Sequence, residues 1–235
     1  MVNSSKLLEM KHPDFKFEKR LWKKKYSLVA GLDEVGRGSF AGPVVAAAVV
    51  FVAGIDITPG VILINDSKKL TPSQREKADV WIKENTLAWG IGEAPTSAIN
   101  RIGIAKATKA AFRKAVIEVN KKLPSAVDFL LIDAIFISYV RGLRRKNQLA
   151  IIHGDEKSFS IAAASIIAKV YRDNIMKKIS KSPKLRVYGW ERNKGYGTKE
   201  HQSAILKYGL TRYHRKTFVE TFFKNFFSSQ AQFGT

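Results

Sequence analysis

The sequence predicts an α/β protein, and three observations carry that expectation. Valine-rich apolar runs of strand length recur along the chain, helical apolar rhythms alternate with them, and glycines and prolines punctuate the joins. The first run is YSLVAGL, residues 26–32. PVVAAAVVF, residues 43–51, follows across a glycine-rich loop. Thr71-Pro72 marks a helix start, since proline at the first helical position has no N–H to lose, and the helix is expected to reach Glu84. TLAWGIGEA, residues 86–94, reads as a strand, and Ile102 to Lys122 as a helix ending before Pro124. VDFLLID (127–133) and LAIIHGD (149–155) are two further strands. SFSIAAASIIAKVYRDNIMKKI (158–179) is the strongest helix, with Ser158 or Ser160 as its cap.

A chain of 235 residues, 45% hydrophobic, can bury one large core. Its formal charge of +21 exceeds what solubility calls for and points to a polyanionic partner. Nucleic acid outranks an anionic membrane, because no basic amphipathic helix dominates. Cysteine is absent, which excludes disulfides, thiolate chemistry and cysteine-ligated zinc. The first 25 residues are broken by charge every few positions and lack the core of a signal peptide. The longest apolar run, Pro43 to Ile55, is too short to span a bilayer. A soluble cytoplasmic protein is expected. Residues 177–224 carry 13 Lys or Arg against 3 Asp or Glu, with tyrosines and a tryptophan interleaved.

Three of the expected strands run into carboxylates: the first into Asp33 and Glu34, the others into Asp133 and Asp155. In α/β sheets, ligand sites form beyond strand ends, where side chains distant in sequence converge. Acids gathered in a basic protein repel one another unless a cation sits among them, and hard oxygen ligands suit Mg2+ or Mn2+. Taken singly, each Asp is equally an ordinary turn or cap residue, as Asp66 after ILIN illustrates. Taken as a set on a basic chain, they point to metal-assisted phosphodiester hydrolysis.

The loop GRGSFA, residues 36–41, also matches the glycine pattern of a dinucleotide site, with Asp56 near the place of a ribose-binding acid. That site requires a helix to begin within the loop, whereas Gly42-Pro43 and a β-branched run follow here. Three hypotheses therefore stand: a metal-dependent nuclease, a basic nucleic-acid-binding module with structural acids, and a nicotinamide-dependent oxidoreductase. Arg37 suits either a phosphate contact or a structural ion pair.

The blocks GLDEVGRGSFAGPVVAAAVV, NDSKKL, LLIDA, HGDEKSFSIAAASIIAKVYRD, NKGYGTKEH and YHRKTF, in that order between residues 28 and 218, closely resemble the ribonuclease HII family of bacteria. The resemblance implies a ribonuclease H-like mixed sheet flanked by helices, with a small helical C-terminal region. Residues 1–25, which the resemblance does not cover, read as a basic extension from their composition, and the resemblance implies a catalytic domain (26–180) and a basic helical region (181–235) completing the substrate cleft. The implied activity is endonucleolytic cleavage of the RNA strand of RNA/DNA hybrids and nicking at ribonucleotides embedded in DNA duplexes, leaving 5′-phosphate and 3′-hydroxyl ends.

Carried over residue by residue, the resemblance makes Asp33, Glu34, Asp133 and Asp155 the catalytic, metal-holding carboxylates for Mg2+ or Mn2+, and leaves Asp66 out. Gly36, Arg37 and Gly38 are implied to recognise the ribose 2′-hydroxyl, with Tyr196 packing on the junction sugar. Lys68, Lys69 and Arg215 are implied phosphate contacts; His214 receives no catalytic role. His153 and the YHRKTF block depart from the family's usual lysine-glycine-aspartate and second-arginine patterns. A monomer is implied, and the tail FFSSQAQFGT loosely resembles a sliding-clamp peptide.

Overall fold

The computed structural model describes residues 12–55, 64 and 67–232. Asp56 and Asp66 lie outside the described residues, as do the first 11 residues and the last three. The elements run α1 (Lys16–Lys23), β1 (Val29–Val35), β2 (Val44–Val50), α2 (Pro72–Asn85), β3 (Ala88–Ala94), α3 (Thr96–Ile102), α4 (Ile104–Asn120), β4 (Phe129–Asp133) and β5 (Gln148–Ile151). A 3-10 turn at Gly154–Glu156 precedes α5 (Phe159–Ser180), α6 (Pro183–Arg186), α7 (Trp190–Asn193), α8 (Lys199–Tyr208) and α9 (Lys216–Gln232).

The chain divides into two compact units that interleave in sequence. The first holds residues up to Val35, then Val45–Glu93 and Lys109–Val170; the second holds Gly36–Val44, Ala94–Thr108 and Tyr171 onward. The mixed five-stranded sheet has the order β3-β2-β1-β4-β5. β2 pairs antiparallel with β1, whereas β1, β4 and β5 are mutually parallel. β2, VVAAAVV, is buried along its whole length, as expected of a strand covered on both faces.

Close packing of α5 on β1 rests on Gly31, where a Cβ would run into the backbone of Ser160. Ser158 is the cap of α5, its Oγ accepting from Ile161 N–H at 3.3 Å. Residues 14–23 are stitched to this same helix start. Phe159 N–H donates to Asp14 O at 3.0 Å, and the buried Glu18 Oε1 accepts from the Ser158 and Ser160 hydroxyls, both at 2.6 Å. Burial raises the Glu18 carboxyl despite these bonds. Phe15 joins Trp22, Phe51 and Phe159 in a ring cluster with centroids 4.6–5.6 Å apart. These residues belong to the core of the first unit rather than to an extension standing apart.

Two expectations need correction. The helix foreseen over Ile102 to Lys122 runs from Ile104 to Asn120, and a short helix that was not foreseen, Thr96–Ile102, precedes it across Gly103, whose φ of 78° lies outside the helical region. The strand foreseen over 149–155 stops at Ile151; His153 then takes a left-handed conformation (φ 55°), so Asp155 sits on the 3-10 turn. The helix required for a dinucleotide site after Gly42 is a strand, β2, which removes the oxidoreductase hypothesis. Among the described residues no helix is long and apolar enough to cross a membrane.

Candidate active site

In the first unit, the acids are brought together by parallel pairing. Register Leu32↔Ile132 places Asp33 beside Asp133 one step further along, and Asp133 pairs with Ile151 of β5. Strands that run the same way end at the same sheet edge, so Asp33, Glu34 and Asp133 share it, and the chain leaving β5 delivers Asp155 four residues later. Asp33 and Asp155 are each only 5% exposed. Asp33 Oδ1 accepts from Glu34 N–H at 2.7 Å, and Asp133 Oδ1 accepts from Gly154 N–H at 2.7 Å.

Burial, followed by the charges of Glu34 and Asp133, pushes the Asp33 carboxyl well above the usual carboxylate range. A hydrogen bond from Ser165 opposes the shift, and Asp155 adds to it. Ser165 Oγ in turn lies 2.9 Å from Ser67 Oγ. Beside this cluster, Lys68 Nζ stands 3.6 Å from Asp155 Oδ2, and Lys69 Nζ 2.8 Å from Glu156 Oε1.

Such a set suits a hard cation: all donors are carboxylate oxygens, and at Asp33 burial and their mutual repulsion outweigh the hydrogen bond from Ser165. Among the described residues no three histidine or carboxylate side chains already close into a metal cage. An open arrangement is compatible with Mg2+, which usually takes one or two protein carboxylates and completes its shell with water and phosphate oxygens.

In the second unit, the loop from Gly36 to Pro43 is built around two arginines. Arg172, fully buried, donates through Nε to Pro43 O (3.0 Å), through Nη2 to Ala41 O (3.1 Å) and through Nη1 to Lys194 O (2.9 Å). Arg215, also fully buried, donates through Nε and Nη2 to Gly42 O (3.1 and 2.9 Å) and through Nη1 to Arg37 O (2.8 Å). The expected phosphate contact at Arg215 is therefore corrected. Its guanidinium faces loop carbonyls, and burial pulls it down to about 9. Arg172 lies in the block HGDEKSFSIAAASIIAKVYRD, but nothing in the apolar pattern marks it for burial, since arginine is ordinarily a surface residue.

Gly36 has φ 87°, and a Cβ there would run into Arg172 Nε, so the fold itself requires glycine. Gly38 differs: it has ordinary φ, and a Cβ would meet nothing within 4 Å. Arg37 and Gly38 are exposed. The Tyr196 turn docks onto this loop, with Phe40 and Ala41 N–H donating to Gly195 O at 2.8 and 3.1 Å. Tyr196 is 37% exposed, its ring 5.5 Å from the Arg172 guanidinium carbon.

A neutral histidine pair holds that turn. Thr211 N–H donates to His214 Nδ1 (2.9 Å), which leaves the proton of His214 on Nε2, 3.1 Å from His201 Nε2. His201 Nε2 also accepts from Trp190 Nε1–H (2.9 Å), so its own proton sits on Nδ1 and is donated to Tyr196 O at 2.9 Å. A second proton on either ring breaks a bond. Burial first, and then His201, pull His214 down to about 4. Between that value and the ordinary 6.5 the unfolded chain binds a proton that the folded chain refuses, so stability falls as the pH drops through this window. His214 alone is expected to remove about 2 kcal/mol between pH 7 and pH 5. Nitrogen NMR shifts of His214 should report a neutral ring at pH 5; a charged ring there refutes the assignment.

Comparison with known proteins agrees with this architecture. The ribonuclease HII family model matches residues 30–226. Ribonuclease HII of Caldanaerobacter subterraneus subsp. tengcongensis is 45% identical over 208 residues, 88% of this chain and 80% of that protein. The ribonuclease HII of Wolbachia pipientis wMel is 44% identical over 212 residues, 89% and 97%. Two solved structures share the fold: Bst-RNase HIII in complex with Mn2+ (TM-score 0.65, 19% identity, 83% of this chain and 65% of that one), and the PCNA:RNase HII complex from Archaeoglobus fulgidus (TM-score 0.62, 22% identity, 80% and 93%). With matches of this extent, and with Asp33, Glu34 and Asp133 at the ends of neighbouring parallel strands, the chain belongs to the ribonuclease HII family and is a ribonuclease H.

Proposed function

We propose that this endonuclease, which cleaves RNA in RNA/DNA hybrids, works through Asp33, Glu34, Asp133 and Asp155, and that it also nicks at ribonucleotides embedded in duplex DNA. The observation that supports the reading best is the parallel pairing that brings Asp33 and Asp133 side by side. The four acids would hold divalent cations, Mg2+ or Mn2+, and the Mn2+ complex of the Bst enzyme is a precedent. Such cations, when bound, supply Lewis-acid stabilisation of the phosphate and a more acidic water. The chain's own acids orient that chemistry: Asp33 is held by Glu34 N–H and Ser165, and Asp133 by Gly154 N–H. A water oxygen bonds to phosphorus as the P–O3′ bond breaks, leaving a 3′-hydroxyl and a 5′-phosphate.

In the same proposal Gly36, Arg37 and Gly38 read the ribose 2′-hydroxyl, the group that separates RNA from DNA, and Tyr196 packs on the sugar that follows. Support comes from Gly38, whose glycine identity neither φ nor packing requires and whose open flank admits a ligand. Lys68 and Lys69, beside Asp155 and Glu156, contact phosphates. The partner is a hybrid or ribonucleotide-containing duplex, bound by a monomer in the cytoplasm. Residues 226–235 offer a sliding clamp a contact, for which the Archaeoglobus complex is the precedent.

The test is a DNA duplex carrying one ribonucleotide. The parent nicks it with Mg2+ or Mn2+, and Gly38→Ala, which folds normally, loses about tenfold in kcat/KM on this substrate, about 1.4 kcal/mol. An unchanged preference over all-DNA duplex in Gly38→Ala removes the recognition role.

A further inference from the structure

The chain between β4 and β5, residues 134–147, begins one residue after Asp133, and β5 then leads to Asp155. Both carboxylates flank an excursion that their own roles do not explain. It is a built structure rather than slack chain. Ile137 and Val140 are buried, and the side chain of buried Gln148 clamps Ile137, accepting from its N–H at 3.2 Å and donating to its O at 3.1 Å. Val140 and Leu143 form a bridge, and Arg113 Nε donates to Tyr139 O at 2.7 Å.

Pinned in this way, the excursion turns the opposite kind of residue outward. Phe136 and Tyr139 are 52% and 66% exposed, with Ile152 on the strand side 68% exposed. Arg141, Arg144, Arg145 and Lys146 are exposed, and no Asp or Glu occurs anywhere in 134–154. A run of cations alone is usually just a solvated face. Cations held beside exposed rings on an anchored loop instead combine the two groups with which proteins grip a sugar-phosphate chain. Holding aromatic side chains in water has a cost that contact with a partner offsets.

We infer that residues 136–146 form a second nucleic-acid contact that grips the backbone of the duplex flanking the scissile phosphate. The inference rests on the nuclease reading and extends it: the four cations neutralise phosphates, and Phe136 and Tyr139 lie against sugars. A nucleic-acid occupant is favoured over an apolar protein surface because four cations without an intervening acid complement phosphates and would be costly to bury against apolar atoms.

The test compares the parent with Arg144→Gln/Arg145→Gln/Lys146→Gln, and separately with Tyr139→Ala; all four side chains are exposed, and an unchanged melting midpoint verifies folding. Binding of a fluorescent RNA/DNA hybrid is followed by anisotropy in EDTA across a salt series, and cleavage is measured separately with Mg2+. In the triple variant the slope of log K against log salt becomes shallower by about 2 to 3, and affinity falls about tenfold. The effect on cleavage falls on KM. A hybrid cut short next to the cleavage site narrows the difference between parent and variant. If both bind the long hybrid with the same slope and affinity, this surface serves something else and the inference fails. If the parent binds but cleaves no hybrid, the nuclease reading fails separately.

Discussion

Asp33→Asn is expected to abolish cleavage, by at least about 10^3-fold, while making the metal-free protein more stable by on the order of 1 kcal/mol. The two effects share a cause. Asp33 is buried, and its neighbours Glu34, Asp133 and Asp155 are all acidic, so the folded state resists its negative charge. A carboxyl whose folded pKa is raised favours folding while protonated, and that contribution is lost as the pH rises through the folded value. The negative charge of Asp33 is therefore a liability to the metal-free fold, and a neutral amide of the same shape removes it. The geometry tolerates the change: Asn Oδ1 still accepts from Glu34 N–H, and Nδ2 can donate to Ser165 Oγ, whose own proton turns to Ser67. Urea unfolding in EDTA at pH 7.5 measures the first effect and hybrid cleavage with Mg2+ the second. An Asn variant that is less stable in EDTA means the cluster is not an electrostatic strain at all, and one that still cleaves removes Asp33 from the chemistry.

The acids were legible in the sequence because two simple physical rules converge on them. Apolar runs of strand length announce β1 and β4, and parallel neighbours end at the same edge, so Asp33, Glu34 and Asp133 are found by counting. Asp155 was found for a partly mistaken reason. The run LAIIHGD suggested a strand through it, but His153 adopts a left-handed turn that only tertiary contacts select. The second unit was the least legible. Arg215 looks like a member of a basic, nucleic-acid-facing tail and Arg172 like an ordinary cation of the long helix, and composition alone cannot tell a cation in water from one spending its donors on backbone carbonyls. Nor could residues 14–18 be read as part of the core. Lys16, Lys19 and Arg20 give the segment a solvated look, whereas Glu18 is sunk against the start of α5.

Replacing Arg172 by methionine is expected to cost about 3–5 kcal/mol, lowering the melting midpoint by roughly 10 °C, and to erase the preference for a ribonucleotide. Methionine fills much of the volume but donates nothing, so the carbonyls of Ala41, Pro43 and Lys194 are left buried without their donor. Lysine restores the charge, but a single ammonium cannot span three carbonyls presented to the separate nitrogens of a planar fork, so Arg172→Lys recovers only part of the loss. The same three bonds tie the loop that carries Gly36 and Gly38 to the turn that carries Tyr196, and Gly36 has its shape because Arg172 occupies the space a Cβ would need. Stability loss alone does not establish that coupling. Val219→Ala, in the apolar cluster of the same unit, is also destabilising, by about 1–3 kcal/mol, but touches none of these carbonyls. Assayed well below both melting midpoints, Val219→Ala keeps the parental ratio of cleavage at a ribonucleotide to cleavage of all-DNA duplex. Arg172→Met loses that ratio through a rise in KM for the ribonucleotide duplex. If the two variants discriminate equally well, Arg172 is a core brace and the loop from Gly36 to Pro43 holds its shape without it.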